Sequence, residues 1–110
     1  MDMEKLSPEA IEMVAERFKV LSEPIRLRIL NLLRAGEMSV GELTAMCSTT
    51  QPNVSKHLRT LTDAGMVRRD QRGNTVFYSI ADESIFELCD LVCDSLGTRL
   101  RTRAEIFASV

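Results

Sequence analysis

The sequence lacks several features that would place it in other protein classes. No apolar run approaches the roughly 20 residues that are needed to span a bilayer. The first ten residues, MDMEKLSPEA, are polar and acidic and contain no signal-peptide core. We therefore expect a cytoplasmic protein in which the three cysteines are reduced thiols.

Signatures of catalysis are also missing. The sequence shows no nucleophile beside a base with an orienting residue, no glycine-rich phosphate loop and no carboxylate pair in an evident cleft. A single histidine is present, which argues against a histidine-rich zinc or nickel site. The sequence therefore predicts a protein that is not an enzyme.

The 110 residues contain no repeat, low-complexity tract or Pro/Gly-rich linker, so we expect one domain over 1–110, with 1–7 as a flexible N-terminus. The net charge of −2 is unevenly distributed. Residues 49–76 hold five basic and two acidic side chains, a net charge of +3, so the remainder carries −5. A basic segment on an acidic body indicates a surface for a polyanion, although an ordinary solvated surface has the same composition.

Residues 48–65, STTQPNVSKHLRTLTDAG, predict a turn followed by one amphipathic helix. Thr49 or Thr50 caps its start, Pro52 suits its first turn and Gly65 ends it. Its apolar stripe is formed by Val54, Leu58 and Leu61. The other face carries no acidic residue, and its amide, hydroxyl and basic groups suit base edges or phosphates. These groups belong to Gln51, Asn53, Ser55, Lys56 and Arg59.

The chain before this helix predicts three further helices. Helical spacing of apolar residues indicates one helix over 8–20 and another over 24–34, the second with Ser22 as its N-cap. Ser39 and Glu42 match a capping box that opens a third, short helix. A short helix, a turn and the amphipathic helix together make a helix-turn-helix.

After the amphipathic helix, the apolar period changes to two and predicts a two-stranded hairpin over 66–80 with its turn at 71–74. Its tip offers basic and amide groups to a phosphate backbone or a minor groove. These are Arg68, Arg69, Arg72 and Asn74. We therefore predict a mainly α fold with a small β-hairpin wing, a winged helix-turn-helix in the order α-α-α-α-β-β-α, with the helix-turn-helix at 39–64.

Asp82 is expected to cap a last helix that runs from Glu83 to about Leu96 or beyond. Apolar residues cover more of this helix than a normal amphipathic face. Because so small a domain cannot cover them all, we expect a homodimer that packs through the helices at 8–20 and 82–100.

Four motifs follow one another along the chain. They are LSEPIRLRIL from Leu21, STTQPNVSKHLRTL from Ser48, AGMV from Ala64 and GNTVFYSI from Gly73. Together they resemble the ArsR/SmtB family of bacterial winged helix-turn-helix repressors. The resemblance implies a homodimer that binds double-stranded operator DNA and blocks transcription until an inducer, often a metal or metalloid, releases it.

The motif positions and the chemistry of the side chains give the following candidate DNA-binding residues: Thr49, Thr50, Gln51, Asn53, Ser55, Lys56, His57, Arg59, Arg68, Arg72 and Asn74. His57 has two interpretations, as a packing residue at the base of the helix or as a phosphate contact.

The resemblance does not identify the inducer. The metalloid and cadmium sensors of the ArsR/SmtB family carry paired cysteines at the third helix, and the corresponding residues 40–46 contain no cysteine. Cys89 and Cys93 are spaced i, i+4, so both thiols lie on one helix face. They are candidates to bind As(III), Sb(III) or Cd(II), or to react with a sulfur or oxidant signal. Both residues also suit a simple role as small apolar side chains between helices. Cys47 is expected in the core.

Two alternatives remain open. One is the same repressor fold with no metal or thiol sensing. The other is a winged helix that binds proteins, which needs apolar anchors on the exposed face of the amphipathic helix. The residues of that face are polar or basic instead.

Overall fold

The computed structural model describes residues 3–100 of the chain. A turn of 3-10 helix at Met3–Lys5 comes first. The helices are α1 (Pro8–Val20), α2 (Pro24–Leu33), α3 (Val40–Cys47), α4 (Gln51–Asp63) and α5 (Ser84–Arg99). The strands are β1 (Met38–Ser39), β2 (Val67–Arg72) and β3 (Thr75–Ile80).

The order of these elements confirms the predicted winged helix-turn-helix with one correction. The sheet has three antiparallel strands in the order β1-β3-β2, and the sequence predicted only the β2–β3 hairpin. In β1, Met38 pairs with Tyr78 and Ser39 pairs with Phe77. Two residues are too few to show alternation, and Ser39 is at the same time the N-cap of α3, so the pattern revealed the cap and not the strand.

The helix ends follow local signals, with two differences. The N-cap of α2 is Glu23, without a side-chain cap bond, whereas the hydroxyl of Ser22 donates to a carbonyl of α1 at 2.7 Å. The N-cap of α5 is Glu83 and not Asp82, and the helix extends to Arg99, within the predicted segment 82–100. Asp82 lies one position before the N-cap, yet its Oδ1 accepts a hydrogen bond from the backbone N–H of Ser84 at 3.0 Å. The Asp82 carboxylate therefore binds one of the free N–H groups at the start of α5, as expected.

The hydrophobic core lies directly behind α4. Its fully buried side chains come from α2, α3, α4 and the turn that follows α4: Ile29, Leu33, Leu43, Val54, Leu58, Leu61 and Met66. Because three of these residues belong to α4, close packing fixes the inner face of α4 and thereby determines which side chains point outward.

Candidate nucleic-acid interface

The N-terminus of α4 is held by threonine side chains. Thr50 is the N-cap, and its Oγ1 accepts a hydrogen bond from the backbone N–H of Asn53 at 3.3 Å. Thr49 has a different role, because its Oγ1 accepts from the Nδ2 of Asn53 at 3.1 Å. The amide of Asn53 is thus half-buried and engaged within the protein. These three residues hold the start of the helix in place.

The outer face of α4 carries four exposed polar side chains, of Gln51, Ser55, Lys56 and Arg59. No acidic residue lies in α4 before Asp63, its last residue. This face is the part of α4 that can approach an anionic surface, and its amide, hydroxyl and cationic groups match the hydrogen-bonding groups of base edges and phosphates.

His57 lies on the inner side of α4. Only 9% of its surface is exposed. Burial lowers the pKa of its imidazole, and the nearby charge of Arg26 lowers it further. Within the described part of the chain, the Nε of Arg26 is itself buried without a hydrogen-bond partner. The structure therefore places His57 against α2 with its neutral form favoured, as the packing interpretation of His57 predicts.

The turn between α3 and α4 depends on an arginine that the sequence did not single out. Ser48 ends α3 in the left-handed region, with φ 52°. The Nε of Arg28, in α2, donates to the carbonyl of Met46 at 3.0 Å. This carbonyl lies in the last turn of α3, where backbone acceptors lack helical partners. Arg28 therefore helps to fix the angle at which α4 leaves the turn. No local sequence signal indicates the contact, because α2 and α3 come together only in the folded chain.

At the other end of α4, Gly65 has φ +75°. The N–H of Met66 donates to the carbonyl of Leu61, and the N–H of Gly65 donates to that of Thr62, both at 3.0 Å. This pair of bonds is the Schellman motif, in which a left-handed glycine satisfies the last carbonyls of a helix. The predicted role of Gly65 is thus confirmed.

A second arginine that the sequence did not single out, Arg17, contacts the C-terminal end of α4. Arg17, in α1, donates from Nη1 to the carbonyl of Ala64 at 2.9 Å and from Nη2 to Oδ2 of Asp82 at 2.5 Å. Nothing in the local sequence distinguishes Arg17 from any other surface arginine of an amphipathic helix.

The basic residues of the wing differ in how far they are engaged by other protein groups. Arg68 and Arg69 are exposed neighbours on β2, so their side chains lie on opposite faces of the sheet. Arg69 pairs across the sheet with Tyr78, and together with Arg59 of α4 the two residues line a cleft of about 340 Å³. Two arginines and the acidic Asp63 thus line the cleft where the wing joins α4.

Arg72 is engaged within the protein. It forms ion pairs with Glu37 and, at 3.2 Å, with Asp70. Its guanidinium also lies 3.8 Å from the centre of the Phe77 ring. The hairpin turn beside it is formed by Gly73, with φ +62°, and by the exposed Asn74.

The candidate sensor thiols of Cys89 and Cys93 both lie on α5. Cys89 is half-buried and Cys93 is exposed, and both line a largely apolar groove of about 500 Å³ between α2 and α5. Burial raises the pKa of Cys89, and the neighbouring Cys93 and Asp90 raise it further, so the thiol form is favoured. Cys47 is buried in the core, as expected.

These thiols do not complete a metal site within one chain. Across residues 3–100, no group of three or more His, Cys, Asp or Glu side chains is placed to hold a metal ion. Two sulfur ligands are fewer than the four that a tetrahedral soft-metal site uses.

Among the described residues 3–100, no helix is long and apolar enough to cross a membrane.

Comparison with known proteins identifies the family. The sequence model of the bacterial regulatory proteins of the arsR family matches residues 23–69, from the start of α2 into β2. A helix-turn-helix transcriptional regulator of Methanocaldococcus jannaschii is 39% identical over 85 residues, which cover 76% of this chain and 96% of that relative. The chain belongs to the ArsR family. It is therefore a transcriptional regulator, and its winged helix-turn-helix is a DNA-binding fold.

Solved structures agree with this assignment. Rv0081 of Mycobacterium tuberculosis is 37% identical, with a TM-score of 0.78 over 90% of this chain and 99% of that one. A homodimeric winged helix-turn-helix DNA-binding domain of Mycobacterium bovis is 29% identical, with a TM-score of 0.72 over 87% and 95%. The antimony-specific transcriptional repressor AntR is 30% identical, with a TM-score of 0.73 over 96% and 89%.

Proposed function

We propose that this ArsR-family protein is a homodimeric repressor that binds operator DNA with the outer face of α4 and with the wing. The observation that carries the proposal is the division of α4 into two faces. Three fully buried apolar residues fix the inner face, and the exposed outer face holds amide, hydroxyl and basic groups. A rigid helix of this kind can place side chains against base edges in a major groove.

The positions of the side chains divide the candidate residues by role. The base-reading and phosphate-binding positions on α4 are Gln51, Ser55, Lys56 and Arg59, and those on the wing are Arg68, Arg69 and Asn74. Thr49, Thr50 and Asn53 act indirectly, because their hydrogen bonds fix the helix start. His57 is buried and supports α4 from within the protein, so it is not one of the proposed DNA contacts.

The proposed dimer surface consists of α1 and α5, within 8–20 and 82–100. Large apolar side chains remain exposed on both helices, with Phe18 at 52% and Leu91 at 68%. Contiguous apolar surface of this kind is a feature of protein–protein interfaces. The related domain of M. bovis is homodimeric, which supports the same assembly here. A two-fold dimer presents two recognition helices to half-sites roughly 34 Å apart.

The DNA-binding proposal is tested by measuring affinity against salt concentration, with duplexes selected from a randomised pool. The double variant Lys56→Ala/Arg59→Ala should bind about 100-fold more weakly, and the slope of log affinity against log salt should fall by about 4 if both residues contact phosphates in each subunit of the dimer. Lys5→Ala removes an exposed charge that lies outside both the DNA surface and the proposed dimer surface, and it should change neither quantity. Equal behaviour of the two variants would contradict the assignment of α4.

A second candidate function is release of the DNA by a thiophilic ion or a reactive sulfur or oxidant signal at Cys89 and Cys93. The location of both thiols in the groove beside the proposed dimer surface favours it, because two copies of the chain would supply four thiols. AntR, a similar protein, is antimony-specific, whereas two thiols in one chain fall short of a complete site. The alternative is the same repressor without thiol or metal sensing.

Titration of the protein–DNA complex with arsenite, antimonite and cadmium distinguishes these cases. Sensing predicts that one of these ions dissociates the complex and that Cys89→Ser/Cys93→Ser abolishes the response while binding DNA normally. Cys47→Ala is the matched control, because its thiol is buried elsewhere in the core. Dissociation that persists in the double variant would exclude these two residues as the sensor.

A further inference from the structure

Three elements of the fold meet at the guanidinium group of Arg17. The side chain starts in α1, donates one hydrogen bond to the carbonyl of Ala64 at the end of α4, and donates a second to Asp82 just before α5. The two donors are different nitrogen atoms of one planar group. A planar fork of this kind holds two acceptors in fixed directions, which a lysine ammonium cannot do.

Both acceptors are suited to a cation. Ala64 is the C-cap of α4, where unpaired carbonyls form the negative end of the helix dipole. Asp82 is fixed from its other side, because its Oδ1 accepts from the hydroxyl of Ser84 at 2.6 Å as well as from the backbone N–H of Ser84. The bonds from Ser84, followed by the charge of Arg17, lower the pKa of Asp82, so the carboxylate is ionised at neutral pH.

α1 has few other attachments to the domain. Val20 is its one buried residue. Within the described part of the chain, the side-chain hydrogen bonds from α1 to other elements both come from Arg17. The joint between α4 and α5 is also tied by backbone, since the N–H of Ala81 donates to the carbonyl of Met66 at 2.9 Å. Arg17 therefore connects α1 to a junction that is also held by a backbone hydrogen bond.

We propose that Arg17 is a positioning residue for DNA recognition, which holds the end of α4 at a fixed place relative to α1 and α5. This inference rests on the proposed dimer, in which α1 and α5 lie next to the two-fold axis. The distance of each α4 from these helices then sets the separation of the two recognition helices. Half-sites on DNA are read at a separation of one helical turn, so a variable separation weakens binding to any one operator spacing.

The experiment compares three DNA designs: one half-site, two half-sites at the selected spacing, and two half-sites moved one base pair closer or further apart. Wild-type protein should prefer the selected spacing by about tenfold, a typical size for coupling between sites. Arg17→Ala should lose about tenfold at that spacing and prefer it by less than about threefold, with half-site affinity unchanged. Arg17→Lys should fall between the two proteins because it keeps the charge but not the fork.

Two further variants separate positioning from folding. Asp82→Asn removes the charged partner of Arg17 and should reproduce the loss of spacing preference, even if Arg17→Ala folds poorly. Lys5→Ala removes an exposed charge from the turn before α1, outside the proposed dimer surface, and should behave as wild type. A lower melting temperature for Arg17→Ala and Asp82→Asn with a wild-type spacing profile would overturn the inference and leave a purely structural bond. If wild-type protein binds two half-sites no better than one, the proposed dimer itself fails, and this inference with it.

Discussion

α4 and α5 are amphipathic helices of 13 and 16 residues, and the domain covers them very differently. α4 is capped at both ends, packed along its whole inner face and polar on its outer face. α5 buries Ile85 and Phe86 near its start, and then exposes one apolar residue after another towards its end. The domain itself buries the apolar face of α4, so the polar face of α4 is free to bind a polar partner. The apolar face of α5 remains partly exposed to solvent.

This contrast separates two tasks that the regulator must perform. Reading DNA needs a rigid helix whose side chains keep their positions before the partner arrives, since ordering on binding costs free energy. Pairing of subunits needs apolar area, and the free energy of covering it stabilises the assembly. The difference between α4 and α5 in the monomer therefore follows the division between the DNA surface and the proposed dimer surface.

The largest effect should come from a cavity behind α4. Leu58 is fully buried, and Leu58→Ala should lower the free energy of unfolding by about 2–5 kcal/mol. Leu91→Ala makes the same chemical change at an exposed position of α5 and should alter the stability of dilute, monomeric protein far less. Urea denaturation of both variants measures the difference. Similar losses in the two would show that the contrast in burial has no energetic counterpart.

The next effect concerns the assembly. Leu91→Glu places a charge in the proposed dimer surface and should shift the protein towards monomer in sedimentation experiments. Affinity for a two-half-site operator should fall by about 100-fold, because the second half-site no longer adds to binding. Ala35→Glu adds the same charge at an exposed turn and should leave both measurements unchanged. A Leu91→Glu protein that remains a dimer would move the dimer surface away from α5.

A smaller effect compares N-caps in the two regions. Thr50 caps α4, and Ser7 caps α1 by accepting from the N–H of Ala10 at 3.1 Å. Replacement of either by alanine should cost about 1 kcal/mol of stability. DNA affinity should fall only for Thr50→Ala, because fraying there moves Gln51 and the residues that follow. Equal loss of DNA affinity in the two variants would indicate a general stability effect.

The sequence predicted those parts of the fold whose causes are local. The capping box of Ser39 and Glu42, the cap at Thr50 and the glycine stop at Gly65 each depend on residues within a few positions of one another. Periodicity predicted α4 and the hairpin for the same reason. The sequence therefore predicted both the fold and the recognition helix α4.

What the sequence missed depends on elements that are distant along the chain. β1 exists because Met38 and Ser39 meet β3, and its two residues carry no pattern of their own. Arg17 and Arg28 bind carbonyl groups of other helices, 47 and 18 positions away. An arginine on an amphipathic helix has the same local signature whether it contacts water, phosphate or a helix end. Its partner is decided by tertiary packing.

The smallest effect concerns Arg72 on the wing, whose partners are also decided by tertiary packing. The sequence predicted that Arg72 binds DNA phosphates. In the structure its guanidinium is engaged by Glu37, Asp70 and the Phe77 ring, so its charge is largely neutralised before DNA arrives. Arg72→Ala should therefore change DNA affinity by less than about threefold and leave the slope of log affinity against log salt unchanged. Arg69→Ala should lower that slope by about 2, one contact in each subunit of the dimer, since Arg69 lines the cleft beside α4.

Glu37→Gln completes the comparison, because it weakens the hold on Arg72 without removing the arginine. If Arg72 only orients the wing, Glu37→Gln should match Arg72→Ala in both affinity and slope. If DNA instead draws Arg72 away from Glu37, the glutamate competes with phosphate, and Glu37→Gln should strengthen binding while Arg72→Ala reduces the slope. The direction in which Glu37→Gln changes DNA affinity thus decides between two cases. Either the wing has its DNA-binding conformation before DNA binds, as α4 does, or it rearranges when DNA binds.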